Sequence, residues 1–275
     1  MDYKRVLTIQ DISCVGQCAL TVALPILSAC GVETCVLPSA VLSSHTAFPD
    51  AVIRDLTEDM PRFAAHWQQA GIRFDAIASG YLGSQKQMEY VSQIFDTLGT
   101  ETCVKIVDPA MADHGKLYRG FDEAFVIAMR AFCCKADYLI PNITEACLLT
   151  GTPYRESYDR TFVEELLHKL AKLGPRSVIL TGAAYTPGIT GVAVLENGEI
   201  HCYGHEKLPS NRHGTGDIFA AAFTGGLMRG KSALQAAQIA ADYVCACIQN
   251  SLDDPHHWYG AKFEPMLPIL IKALE

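Results

Sequence analysis

The residues His213 to Phe223, HGTGDIFAAAF, are of the types that phosphoryl chemistry uses. Two glycines flank Thr215, so successive backbone N–H groups can turn into one concavity. The Ala-rich run behind them starts a helix whose first turn carries partial positive charge. Gly214, Thr215 and Gly216 are therefore the candidate anion hole for a migrating phosphoryl group. Asp217, in the first helical turn, is the candidate base for an incoming hydroxyl. Plain helix capping uses the same residues, and the motif alone does not separate the two readings.

Further candidates lie at polar breaks after strand-like runs. In DPAMADHGKLY (Asp108–Tyr118), Asp108 and Asp113 could hold a magnesium ion through water, or stand as solvated charges on an Asp-Pro turn. Asn142 and Glu145 have the spacing of a capping box, a role that leaves Glu145 free to reach a hydrated metal. Thr181, before Gly182, could touch a ribose or phosphate. Asp11, His45, Thr46 and Tyr81 supply a carboxylate, an imidazole, a hydroxyl and an aromatic face. That set suits a small polar heteroaromatic ring better than a sugar, although a strand-end histidine is also an ordinary loop residue. Lys116, Lys207 and Arg212 are the basic residues available to phosphate, and the sequence does not rank them.

One motif is a decoy. Gly225 to Ser232, GGLMRGKS, satisfies G-x-x-x-x-G-K-[ST], but a phosphate-binding loop of that kind needs a buried strand before it. The preceding IFAAAFT continues a helix. Gly230 reads as a helix stop and Ser232 as the N-cap of the next helix.

Short β-branched runs alternate with amphipathic segments over most of the chain. Arg5–Gln10, Glu33–Leu42, Asp75–Tyr81, Cys103–Pro109, Asp137–Asn142 and Ser177–Gly182 read as strands. The alternation predicts an α/β fold with a mostly parallel central sheet covered by helices on both faces. Asn197-Gly198 between two alternating runs predicts a hairpin, a small antiparallel edge. From Thr215 onward the chain reads as nearly all helical. With no linker or repeat, residues 1–275 read as a single domain. Ligands of such sheets collect at the C-terminal strand ends, where Asp11, His45, Thr46, Tyr81, Asp108, Asn142 and Thr181 fall.

Composition excludes several classes. The 275 residues carry 22 basic and 30 acidic side chains, a net charge of −8 that argues against nucleic acid as a partner. The longest apolar stretch, Cys18 to Cys30, is too short and too interrupted to span a membrane. Eleven scattered cysteines, without framework spacing or a charged-then-apolar leader, read as reduced thiols of a cytoplasmic protein. The sequon at Asn142 carries no glycosylation meaning in that setting. A nicotinamide-dependent oxidoreductase would need G-x-G-x-x-G after the first strand, where Gln10 to Gly16 reads QDISCVG.

Taken in order, IQDISCVGQCALTVALPILSACGVETCVLPSAVLSSHTAFPD, DPAMADHGKLY, PNITEACLLTG, LTGAA and HGTGD resemble the pyridoxal kinases of the ribokinase superfamily, especially the bacterial pyridoxamine/pyridoxal kinase branch. The resemblance spans nearly the whole chain. It implies a ribokinase-like three-layer α/β/α domain and ATP-dependent phosphorylation of the 5′-hydroxymethyl group of a vitamin B6 vitamer. By motif, Asp217 matches the catalytic base, and Gly214, Thr215 and Gly216 the anion hole. Asp108, Asn142 and Thr181 fall on the nucleotide side, Asp108 and Glu145 on the Mg²⁺ side, and Lys207 is taken as a nucleotide contact outside the motifs. Asp11, His45, Thr46 and Tyr81 line the pyridine pocket. A homodimer is implied, and a monovalent-cation requirement is left open.

The chain departs from the pattern at Asp11-Ile12, where many relatives have Ser-His. It has Ala112 where the family has Gly, and Ile140 where Thr precedes the proline. An acid at position 11 resembles the hydroxymethylpyrimidine kinases. That enzyme, and a non-catalytic sensor of B6 or nucleotide, are the alternatives; a binder has no need of Asp217.

Overall fold

The structure is a computed structural model and describes residues 3–209 and 212–275. In chain order the elements are β1 (Arg5–Ser13), α1 (Leu20–Ala29), β2 (Glu33–Leu42), β3 (Ile53–Asp55), α2 (Met60–Gln69), β4 (Phe74–Ser79), α3 (Gln85–Thr97), β5 (Gly99–Val107), β6 (Ala112–Asp113), β7 (Lys116–Leu117), α4 (Glu123–Cys133) and β8 (Tyr138–Leu139). They continue with α5 (Ile143–Thr150), α6 (Arg160–Ala171), β9 (Ser177–Thr181), β10 (Ile189–Glu196), β11 (Glu199–Glu206), α7 (Thr215–Met228), α8 (Ala233–Gln249) and α9 (Leu267–Leu274).

Nine strands form one sheet in the order β11-β10-β9-β8-β5-β4-β1-β2-β3, and β6-β7 is a separate two-stranded ribbon. The strands from β2 across to β9 run parallel, and the β10-β11 hairpin closes one edge antiparallel, as its Asn-Gly turn predicts. The short β3 adds an antiparallel strand at the other edge, which its three exposed residues do not announce in the sequence.

Alternation along each strand separates two cores. In β1, Leu7 and Ile9 face a cluster built with α2 to α6, while Val6 faces α1, α7 and α8. In β9, Val178 and Leu180 take the first side and Ile179 the second. Each of these side chains is fully buried, a contribution of roughly 1.5–3 kcal/mol apiece relative to exposure. The result is three layers, helix–sheet–helix.

Two boundaries differ from expectation for local reasons. β1 runs on to Ser13 through an irregularity between Gln10 and Ile12, and this kink carries Asp11 at the strand exit. β8 is only Tyr138–Leu139, because Pro141 has no N–H to give the ladder. The Walker-like segment is helical: Gly225 and Gly226 lie inside α7, and Ser232 caps α8 in a capping box with Gln235. From Thr215 onward the chain is not nearly all helical. Between α8 and a 3₁₀ turn at Glu264–Met266 an irregular loop intervenes, with Asp254-Pro255 and Gly260 as its turn residues.

Chain order places β2 on one side of β1 and β4 on the other, so the winding direction reverses at β1. The crevice beyond the carboxyl ends of β1 and β4 is where such sheets bind ligands.

Candidate active site

Helix α7 begins at Gly214, whose backbone (φ 77°) is left-handed. A Cβ at this position would overlap the Gln17 carbonyl oxygen, so both conformation and space require glycine. Gly216, in contrast, faces open space. Asp217 follows in the first turn, half-buried, and its Oδ2 accepts the backbone N–H of Ala19 at 2.9 Å. Burial pushes the Asp217 carboxyl up to about 7, the Ala19 bond opposes the shift, and the Asp11 charge adds to it. A left-handed glycine turn, a helix N-terminus and a carboxylate thus share one corner.

Asp108 emerges from β5, its backbone N–H bonded to the Ser79 carbonyl at 2.9 Å. Burial holds its carboxyl well above the ordinary range, reinforced by the charges of Glu145 and Asp217. Glu145 is 2% exposed and pushed by burial up to about 7. Among the described residues no ion pair reaches any of these three carboxylates. Asp108, repelled by the charges of both Glu145 and Asp217, forms with these two acids a donor set suited to a hard divalent ion. No cluster of three among the described residues is close enough to ligate one directly, so the fit is through water.

The first turn of α5 also holds the β6-β7 ribbon in place. Glu145 Oε2 and Oε1 accept N–H groups of Asn142 (2.9 Å) and Met111 (3.1 Å), completing the predicted capping box. Asn142 accepts the Glu145 N–H at 3.0 Å and donates to the Ala112 carbonyl at 2.8 Å, so its amide is engaged within the protein. Thr144 accepts the Gly115 N–H at 3.0 Å. Asp113 sits apart from Asp108, exposed on the ribbon beside His114.

On the other side of Asp217, Asp11 is 6% exposed and accepts the Ser13 hydroxyl at 3.0 Å. Burial raises its pKa. Its charge in turn raises the Tyr81 phenol, after burial, and the Cys18 thiol, after burial and Asp217. Asp11 stands at the exit of β1 and Tyr81 just past β4, its neighbour in the sheet, while Ile12 bridges Ala19, whose N–H Asp217 accepts. Tyr81 stacks on Phe121 at 5.6 Å between ring centroids.

His45 is buried with both ring nitrogens occupied. Nε2 lies 2.8 Å from the Tyr259 carbonyl, and Nδ1 accepts the Ala47 N–H at 3.2 Å. A carbonyl can only accept, so the proton is on Nε2. Burial pushes the His45 pKa down. His45 thus presents a ring face, not a hydrogen-bonding edge, and Thr46 beside it is exposed.

The remaining candidates lie to the nucleotide side. Thr181 ends β9 with its hydroxyl 3.3 Å from the Pro141 carbonyl. Lys207 is exposed after β11, its N–H bonded to Gly188. A cavity of about 200 Å³ opens near this edge, lined in part by Tyr185, Thr186 and Tyr203, and none of the carboxylates lines it. Arg212 is not turned toward any phosphate position: it donates to the carbonyls of Ser251 (2.6 Å) and His257 (3.3 Å).

That clasp exposes what sequence reasoning missed. The loop after α8 packs against the segments that carry the candidate residues, held by Arg212, by His45, and by His257 Nε2 at 2.7 Å from Gln17 Oε1. Its signal in the sequence was the turn chemistry of DDPHHWYG, which breaks the helical pattern.

The fold and this cluster define a phosphotransferase of the ribokinase-like class. Residues 27–260 match the phosphomethylpyrimidine kinase family, and the chain belongs to it. A Bacteroides thetaiotaomicron structure assigned to the phosphomethylpyrimidine kinases, solved with pyridoxal, is 34% identical with a TM-score of 0.93, covering 98% of this chain and 96% of that one. Pyridoxal kinase from Lactobacillus plantarum is 30% identical with a TM-score of 0.91, covering 98% and 97%. The pyridoxine/pyridoxal/pyridoxamine kinase of Bordetella bronchiseptica is 28% identical over 265 residues, 90% of this chain and 89% of the relative.

Proposed function

We propose that the chain transfers the γ-phosphoryl group of ATP to the 5′-hydroxymethyl group of a vitamin B6 vitamer, giving the 5′-phosphate and ADP. The observation that carries this reading is Asp217, set in the first turn of α7 behind the left-handed Gly214, its Oδ2 accepting the Ala19 N–H at 2.9 Å. Asp11, a buried acid at the exit of β1, and the ring of Tyr81, just past β4, stand at neighbouring strand ends. The pyridoxal held by a relative 34% identical fits the same chemistry.

In this reading Asp217 takes the proton of the substrate hydroxyl as its oxygen bonds to phosphorus and the bond to the ADP oxygen breaks. The Gly214–Gly216 amides face the three oxygens of the moving group, where negative charge is spread in the transition state. Asp108 and Glu145 would hold Mg²⁺ through water, where it neutralises phosphate charge. Thr181 and Lys207 serve the nucleotide, while Asn142 acts by holding the α5 turn and the ribbon. His45, with Thr46 at its side, gives the heterocycle an aromatic wall, and Asp11 answers a donor on the ring.

We also infer a homodimer in the cytoplasm. Val52 and Ile53, 71% and 56% exposed, flank and form the open sheet edge that a second copy would cover. All eleven cysteines are free, as a reducing compartment keeps them. Among the described residues no helix is long and apolar enough to cross a membrane.

Hydroxymethylpyrimidine kinase is the rival that Asp11 favours. An ADP-release assay across pyridoxal, pyridoxine, pyridoxamine and the pyrimidine alcohol decides between them. A kcat/KM highest for a vitamer supports the proposal. A higher value for the pyrimidine transfers the assignment to the rival, and binding without turnover makes the protein a sensor.

A further inference from the structure

We infer that Trp258, on the loop after α8, is a wall of the heterocycle pocket and a specificity residue for the vitamer, an inference that rests on the function proposed above. The backbone on either side of Trp258 is fixed to segments that make the site. His257 is tied through its ring to Gln17 and through its carbonyl to Arg212, which immediately precedes His213 and the anion loop. The Tyr259 carbonyl receives the His45 ring N–H. Gly260 packs so closely on Gln17 that a Cβ there would stand 2.7 Å from the Gln17 Cβ. A loop this firmly held places its indole deliberately.

The indole joins a group of rings at the cleft. Its centroid is 4.7 Å from Phe48, 6.2 Å from His45 and 6.4 Å from His213, edge-on to both histidines. His213 and His45 are themselves 5.0 Å apart. His213 adjoins Gly214, which packs on the Gln17 carbonyl, and His45 packs on Gly16, so this aromatic group stands beside the turn that opens α7 and carries Asp217. Yet Trp258 remains 43% exposed, and among the described residues its indole N–H has no partner. A rigidly backed, half-open aromatic face next to a reacting centre fits a flat, electron-poor ring, which stacks on it with about 0.5–1.5 kcal/mol beyond burial. At 1.4 kcal/mol per factor of ten, that is roughly a 2- to 12-fold effect on substrate affinity.

The test is steady-state kinetics of the full-length enzyme with Trp258→Ala, Trp258→Leu and Trp258→Phe, each checked by thermal melting. Ala and Leu are expected to raise KM for the vitamer several-fold, with KM for ATP and kcat within about twofold of wild type, and Phe to restore most of the loss. Leu keeps apolar bulk without a ring, so it remains informative if Ala does not fold. An unchanged vitamer KM in folded Leu or Ala protein overturns the inference. So does a parallel rise of both KM values, which would make the residue a structural prop of the anion loop. If wild-type enzyme phosphorylates no vitamer, the functional assignment itself has failed, an outcome distinct from either.

Discussion

The backbone N–H of Ala19 donates to the carboxylate of Asp217 across 198 positions of sequence, at 2.9 Å. Ala19 holds an unusual backbone for a non-glycine residue, φ 53° and ψ −129°, at the start of α1. The bond thus couples a strained turn after the first strand to the first turn of a helix near the C-terminus.

Asp217→Asn and Asp217→Ala should separate catalysis from structure. Asn keeps an oxygen to accept the Ala19 N–H, so its melting temperature should stay near wild type or above. Ala orphans that buried donor and should cost about 1–3 kcal/mol. Both should lower kcat on the order of 10²–10⁴-fold, the usual scale for loss of a general base. Near-normal turnover in either would remove Asp217 from the role of base.

The pH dependence follows from the direction of the shifts. Asp217 and Glu145 are each raised to about 7, from ordinary values near 4. Between those limits the folded chain keeps protons that the unfolded chain has released. Stability from this source is therefore full at the acid end and falls as pH rises through 7. Melting of the nucleotide-free protein should show that decline, shallower in Asp217→Asn. The vitamer kcat/KM should move the opposite way, rising through about pH 7 as the base ionises.

Two glycines at the start of α7 should fail in different ways. Gly214→Ala meets the Gln17 carbonyl and a left-handed φ of 77°, so it should destabilise by at least roughly 1–3 kcal/mol. Gly216→Ala meets nothing within 4 Å and sits in α7, where Ala is favoured by up to about 1 kcal/mol. It should melt no lower than wild type yet lose roughly tenfold or more in kcat, because its methyl enters the space opposite the amides. That is less than the 10²–10³ typical of a deleted oxyanion donor. Thermal melts and turnover on the two variants check the split.

Asp11→Asn tests the heterocycle side. Removing a buried negative charge should reduce kcat/KM for the cationic aminomethyl vitamer more than for the aldehyde, by about tenfold in the ratio. Because the Asp11 charge helps raise Asp217, the same variant should move the acid limb of the rate profile to lower pH. An unchanged ratio with a moved limb would leave Asp11 as an electrostatic neighbour of the base and nothing more.

Much of this protein is written locally. Helix starts at Asn142 and Ser232, the Asn197-Gly198 hairpin and the glycines around Thr215 are short-range instructions, because capping and turn geometry are settled within a few residues. Strand alternation likewise fixes which face each side chain takes, so the layered α/β order follows from pattern alone.

Tertiary structure decided which polar atoms remain free for chemistry. Asn142, His45 and Arg212 have the right types for ligand contacts, yet their hydrogen-bonding atoms are engaged by Ala112, by Tyr259 and Ala47, and by Ser251 and His257. Only the fold set Asp11 close enough to Asp217 to raise its carboxyl, and only the fold brought Trp258 to His213. Proximity of residues far apart in the chain depends on how whole layers pack, and a linear pattern carries no record of which groups that packing leaves without a partner.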